Sequence, residues 1–407
     1  MTPTVETKVA KELKGGNALS IVSLVEGLIE EAHARRSSDI HLDPRDRELR
    51  IRFRIDGVLQ DVYTFPKDIQ PEVISRIKVL AGLRTDEHQA AQDGRFRVST
   101  EGELPIDIRV SIAPTYYGEN AVLRLLAEHA EKFTLESLGF SPEDRKKIEH
   151  ALKSTYGMIL STGPTGSGKT TALYTILKML HAPEVSILTI EDPIEYAIEG
   201  INQMQVNSRT GLSFANGLRA MLRQDPDIIM VGEVRDGETA GLAVNTALTG
   251  HLVLSTLHTS DASTTLPRLI DLGIEPYLIA ATVNIAIGQR LVRKICTDCK
   301  KKRPLTEAER KSLDGITALP TLADITTVFE GKGCDECNNS GYRGRIGIYE
   351  VVEVNDAIRE AMLRKCSGSE IKQIAKEHGM TTMVEDGFKK VRDGLTTIEE
   401  VLRVIHE

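Results

Sequence analysis

The sequence predicts an α/β protein built on a parallel sheet, with a smaller α+β block before it and a cysteine-bearing lobe with small helices after it. Three observations predict this. After Leu138, short apolar runs alternate with longer helix-forming stretches, the pattern of a parallel sheet covered on both faces. Before Leu126, apolar and polar residues alternate as in half-buried strands. Four of the five cysteines fall as Cys296-x2-Cys299 and Cys334-x2-Cys337, separated by 34 residues, with Cys366 apart.

The elements follow in order. Residues 1–20 are polar and expected to be flexible. Ile21, Leu24, Leu28 and Ile29 recur at helical spacing over Ile21–Ala34. Asp39–Leu42 and Arg50–Arg54 alternate like strands, and Asp56-Gly57 between Ile55 and Val58 marks a hairpin turn. Ile69–Leu83 is helical, and Ile106–Leu126 returns to alternation. This α+β domain is placed at 21–127. The charged run Glu128–Lys132 opens a linker over 128–137. Met158–Leu160, Val185–Ile190, Ile228–Val231 and Leu252–Leu254 are the strands of an α/β domain at 138–290. The cysteine lobe takes 291–345. The tail, 346–407, reads as helices at Ala357–Leu363, Ser369–Glu377 and Thr397–Ile405. No internal repeat or low-complexity tract interrupts the chain.

Composition excludes several classes. A chain of 407 residues has room for two to four domains, and 41% hydrophobic with 27% charged residues rules out wholesale disorder. A net charge of −8 argues against a surface coated on nucleic acid, and 4% aromatic residues against base stacking. The longest stretch without Asp, Glu, Lys or Arg, Thr239–Ser260, holds Asn245, Thr246, His251 and His258, so it is no membrane span. Met1–Gly16 lacks the apolar core of a signal peptide, and a cytoplasmic protein is expected.

Gly163-Pro164-Thr165-Gly166-Ser167-Gly168-Lys169-Thr170 satisfies G-x-x-x-x-G-K-[ST]. It follows an apolar strand and precedes a helix-forming run, Thr171–Leu180, the context a P-loop requires. Glycines let backbone N–H groups close around phosphate oxygens, and the helix N-terminus adds favourable dipole charge. Lys169 is expected to reach the β- and γ-phosphates and Thr170 to ligate Mg²⁺. Ligands of a parallel sheet lie beyond the carboxyl ends of its strands. Three runs end there in useful groups: Glu191-Asp192-Pro193, Gly232-Glu233 and, further on, His258. Gly232 holds the place of the usual Walker-B aspartate, so Glu233 must manage the metal or the water. Glu191 is the rival general base, and the sequence does not rank the two.

In a chain without an export signal, the paired CxxC elements Cys296, Cys299, Cys334 and Cys337 read as a tetrathiolate zinc site rather than as disulfides; packed or redox-active cysteines are the alternative. Four thiolates leave no open position, so the zinc is expected to be structural. Lys300–Arg303, Arg290, Arg293 and Lys294 read as a solvated basic face, or as a contact with anionic lipid or a partner protein.

These motifs in this order resemble the type II secretion and type IV pilus assembly ATPase family, from Ser37 to about Gly394. The resemblance rests on the P-loop, Thr189–Glu195 (an Asp box), Leu222–Asp227, Gly232–Asp236 (an atypical Walker B), and Thr249-Gly250-His251 through His258-Thr259 (a His box). Ser38–His41 and Gln92–Arg95 match the family's N-terminal domain. It implies a RecA-like P-loop ATPase core behind a PAS-like α+β domain, a homo-hexameric ring, and nucleotide between the two domains. It implies that ATP is hydrolysed to drive an inner-membrane platform protein that adds pilin-like subunits, with a cytoplasmic or membrane linker protein as a further partner. The protein would then lie at the cytoplasmic side of the bacterial inner membrane. Arg109 and Arg124 match arginines that reach the phosphates, while Arg268 and Arg345 match arginines near the site from a neighbouring subunit or the metal-bearing segment. Thr171 closes the nucleotide-contacting set. His251 and His258 would couple nucleotide state to domain movement or be structural, and His41 is expected to be structural. Family members with four cysteines here are typically assembly or secretion motors, which favours assembly. Only 36 residues precede Ser37, so the extra N-terminal domain of many assembly motors is expected to be absent. A retraction motor, a nucleic-acid translocase and a non-hydrolysing nucleotide-binding scaffold are the rivals.

Overall fold

The computed structural model describes residues 8–9, 19–98, 106–126, 133–314 and 326–406. Most of the segment 1–20 and the charged run Glu128–Lys132 lie outside the described residues. The chain divides into two compact units, Met1–Glu131 and Lys132–Glu407.

In the first unit the helix Ile21–Ala34 forms where the spacing places it, started by Ser20, whose hydroxyl accepts from the Ser23 N–H. Strands β1 (Ser37–Pro44), β2 (Glu48–Ile55) and β3 (Val58–Pro66) follow, then the helix Gln70–Leu80 and strands β4 (Gln92–Val98), β5 (Ile106–Thr115) and β6 (Gly118–Leu126). They form an antiparallel sheet in the order β3-β2-β1-β6-β5-β4. Asp56 (φ 50°) and Gly57 (φ 87°) turn β2 into β3, both in the left-handed region that a two-residue hairpin loop demands. Alternation puts Ile40, Leu42, Ile51 and Phe53 on one face, in a core with Leu24, Leu28, Val73 and Ile77 from the two helices. On the other face Arg54, Asp39, Arg124, Arg109 and Arg95 stand in one cross-strand row.

The second unit holds β7 (Gly157–Thr162), β8 (Ile187–Glu191), β9 (Asn202–Gln205), β10 (Ile228–Val231), β11 (Leu252–Leu257), β12 (Val283–Ile295), β13 (Lys300–Pro304), β14 (Thr327–Gly331) and β15 (Tyr342–Glu353). The main sheet runs β15-β12-β7-β11-β10-β8-β9. Every pairing is parallel except β12 with β15. Helices cover both faces. Leu173, Ile176 and Leu177 of Lys169–Leu180 pack with Ile159, Ile187, Leu254 and Ile285. On the other side Ala240, Ala243, Leu266 and Leu269 pack with Met158, Leu160, Ile229 and Val253. β13 and β14 make a small hairpin-like sheet of their own.

Four helices close the chain: Asp356–Leu363, Gly368–Glu377, Met383–Arg392 and Ile398–His406. Met383–Arg392 goes beyond the sequence expectation, although Thr382 and Glu385 form a capping box at its start. Glu400 ties the last helix to β12. Its carboxylate accepts from the Arg293 backbone N–H at 2.9 Å, Arg293 Nη2 at 2.7 Å and Arg403 Nη2 at 2.9 Å. Arg293 therefore does not belong to a solvated basic face; the paired Glu400 draws it in. Burial resists ionisation of Glu400, yet the bonds from Arg403 and Arg293 bring its carboxyl down to about 2. A depressed pKa stabilises the fold above the unfolded value of about 4.5, and that stability disappears as pH falls toward 2. We expect urea midpoints of the parent to drop between pH 5 and pH 3, and Glu400→Gln to remove roughly 3 kcal/mol at pH 7.

Candidate functional site

The P-loop joins β7 to the helix Lys169–Leu180, as the motif requires. Gly163, Gly166 and Gly168 have φ of 145°, 78° and 89°, a backbone path that side chains resist. At Gly163 a Cβ would lie 2.4 Å from the Gln289 carbonyl oxygen. Lys169 is buried, and its Nζ donates to the carbonyls of Gly163 at 2.9 Å and Pro164 at 3.0 Å. Burial lowers its pKa, and the nearby Glu233 carboxylate opposes the shift.

Parallel register gathers the strand ends. Val231 pairs with Ile190 and Ser255, and Thr162 with Leu257, so Glu191, Glu233 and His258 emerge at the same end of the sheet as the P-loop. Glu233 Oε2 accepts from Arg235 Nε at 2.6 Å and lies 3.2 Å from His258 Nε2. Gly232 abuts β8: a Cβ there would lie 3.2 Å from the Ile190 carbonyl oxygen, which leaves a larger side chain little room. The loop after β11 is tied to β7, where the Thr259 N–H donates to Thr162 Oγ1 at 3.0 Å.

Glu191 differs in kind. Its Oε1 accepts from Thr189 Oγ1 at 2.6 Å and Gln203 Nε2 at 3.1 Å, and its Oε2 accepts from the Tyr174 hydroxyl. Burial pushes its carboxyl up, against these three bonds. His251 lies at the opposite end of β11 from His258. It precedes β11, with Nδ1 3.1 Å from the Thr246 carbonyl oxygen, while His258 follows the same strand. A strand of this length holds the two histidines about 20 Å apart, so they do not act on one group.

The arginines are divided between the two units. Arg109 and Arg124 face each other on β5 and β6 of the first unit, and Arg124 Nε donates to Asp39 Oδ1 at 2.9 Å. Arg268 sits on the helix Ala262–Asp271 at 4.0 Å from Asp271, and Arg345 is exposed on β15 opposite Arg293.

The cysteines do converge. Sγ distances are 3.8 Å for Cys296–Cys334, 3.9 Å for Cys299–Cys337 and 3.7 Å for Cys334–Cys337, and all four sulfurs lie within 4.8 Å of one another. A tetrahedron of Zn–S bonds near 2.3 Å has edges of about 3.8 Å, so the residues fit zinc. The Cys334 and Gly341 N–H groups donate to Cys337 Sγ at 3.2 and 3.3 Å, as outer bonds to a thiolate ligand do. Sequence reasoning missed Gln289 and Tyr174, whose polar atoms reach the P-loop and Glu191 from outside any motif.

A parallel sheet with its P-loop, Glu233 and His258 at the carboxyl end defines a RecA-like ATPase. Residues 16–403 match the family described as Type II/IV secretion system protein, and the chain belongs to that family. It is 46% identical over 387 residues to Type II secretion system protein E of Pectobacterium carotovorum subsp. carotovorum, covering 95% of this chain and 76% of that one. It is 43% identical over 389 residues to the type IV pilus assembly ATPase PilB of Myxococcus xanthus (strain DK1622), covering 96% and 68%. Among solved structures it is similar to the pilus retraction motor PilT with bound ADP, with TM-score 0.63, 28% identity and coverage of 94% and 96%. The Legionella pneumophila ATPase DotB, with TM-score 0.69 and 21% identity over 94% and 95%, shares the fold. The protein is thus a secretion or pilus ATPase. Among the described residues no helix is long and apolar enough to cross a membrane.

Proposed function

We propose that this chain forms a homo-hexameric motor that hydrolyses ATP and drives assembly of a type IV pilus or secretion pseudopilus through an inner-membrane platform protein. The observation that carries the hydrolytic role is Glu233, held by Arg235 and His258 beside the P-loop lysine. Glu233 is the base or metal-shell residue in this reading; Glu191, with both oxygens occupied, holds β8 against the P-loop helix. Thr170 and Glu233 would hold Mg²⁺, which offsets phosphate charge when bound. The P-loop amides and Lys169 bind and orient the triphosphate. Arg109 and Arg124, adjacent in register, would act as a pair on developing phosphate charge. The four convergent cysteines support an assembly role and a structural zinc.

The likeness to PilT along nearly the whole chain favours a second reading, retraction. Phosphate release from Mg-ATP by the purified chain tests hydrolysis, with steady turnover expected and none overturning it. Sedimentation with ATP should show six copies. DNA or RNA should leave the rate unchanged; stimulation would favour a translocase. Filament growth restored in a deletion strain, against filament loss in one, separates assembly from retraction.

A further inference from the structure

We infer that Gln289 of β12 is a positioning residue for the P-loop, setting the direction of the Gly168 amide; this rests on the nucleotide-binding reading above. Gln289 is 1% exposed, and both ends of its side-chain amide are bonded. Nε2 donates to the Ser167 carbonyl oxygen at 2.7 Å, and Oε1 accepts from Ser161 Oγ at 3.3 Å. Ser161 belongs to β7, beside β12, where Ile287 pairs with Ser161 and Gly288 with Thr162. One side chain therefore bridges the strand that enters the loop and the last turn that leaves it.

The consequence follows from peptide geometry. In a trans peptide the carbonyl and the next N–H point in opposite directions. A Ser167 carbonyl drawn onto Gln289 turns the Gly168 N–H away from Gln289. Phosphate-binding loops work by aiming such successive N–H groups at one anion. With glycine at 168 (φ 89°), rotation of this peptide meets little steric resistance, so something must hold it. The bracketing glycines are also fitted to Gln289. A Cβ at Gly163 would lie 2.4 Å from its carbonyl oxygen and one at Gly168 3.2 Å from its Nε2. Lys169 bonds the Gly163 and Pro164 carbonyls, and Ser167 is left to Gln289.

Gln289→Glu keeps the size and the acceptor toward Ser161 but puts an acceptor against the Ser167 carbonyl. Gln289→Met keeps the volume without polar atoms and serves if the carboxylate prevents folding. Binding of a fluorescent ADP with Mg²⁺ is expected to weaken roughly tenfold in either variant, the worth of one such bond. KM for ATP should rise by a similar factor with little change in kcat. Folded variants that bind the fluorescent ADP as the parent does overturn the inference alone. A lower melting temperature with unchanged affinity reduces Gln289 to packing and also overturns it. A parent that binds no fluorescent ADP overturns the nucleotide reading and this inference with it.

Discussion

Glu233→Gln is expected to slow ATP hydrolysis by roughly 10²–10⁴-fold, the range for loss of a positioned acid–base group, while ATP still binds. The amide is isosteric with the carboxylate, so Gly232 keeps its close fit on β8 and the P-loop is untouched. What disappears is charge and basicity at an oxygen that Arg235 approaches at 2.6 Å and His258 at 3.2 Å. Lys169→Ala gives the useful contrast. It removes the ammonium that orients the phosphates, so both affinity and turnover should fall. Phosphate release under single-turnover conditions, beside binding of a fluorescent ATP, separates the two. Turnover at the parental rate in Glu233→Gln would remove Glu233 from the chemistry and return the role to Glu191. Glu191→Gln should instead act on stability, because one of its oxygens would become a donor facing Thr189, Gln203 or Tyr174.

What was legible in the sequence was local. Gly163–Thr170 declares its fold because a phosphate nest needs glycines at fixed offsets, and the helix Ile21–Ala34 because Leu24 and Leu28 share one face. The strand-end placement of Glu191, Glu233 and His258 was legible too, since parallel topology puts all carboxyl ends together. Their difference was not. Whether a carboxylate is filled by Tyr174, Thr189 and Gln203, or stands beside His258, depends on contacts across other elements. Sequence proximity of His251 to His258 likewise says nothing about which end of β11 each occupies. β12 and β15 were missed because their cores, Ile285–Ile287 and Ile346–Val352, are interrupted by Gly288, Gln289 and Glu350 at positions the sheet fills with specific partners. Gln289 carried no signal at all. A lone glutamine in a mostly apolar strand acquires meaning only when the P-loop is folded against it.

Removing the metal site should unravel the cysteine lobe and leave the ATPase sheet standing. β13 carries Lys300, Lys301, Lys302 and Arg303, and among the described residues the cysteines form the lobe's own buried cluster, while Val328 of β14 packs apart from them with Phe388 and Val391. A tetrathiolate zinc contributes roughly 10–16 kcal/mol of apparent folding free energy, far beyond what a five-residue strand pair supplies. The P-loop core draws instead on two apolar layers around β7, β10 and β11, none of which includes a cysteine of the cluster. Purified protein should therefore carry one equivalent of zinc. Cys334→Ser with Cys337→Ser should abolish it and speed hydrogen exchange by orders of magnitude across residues 296–299 and 333–341, with little change in β7 and β11. Damage should extend along β12 only as far as Arg293, where Glu400 and the last helix grip the strand. Equal protection of the lobe in parent and double variant would mean that the cysteines pack without a metal. Loss of protection through β7 would mean that the sheet and the lobe fold as one unit.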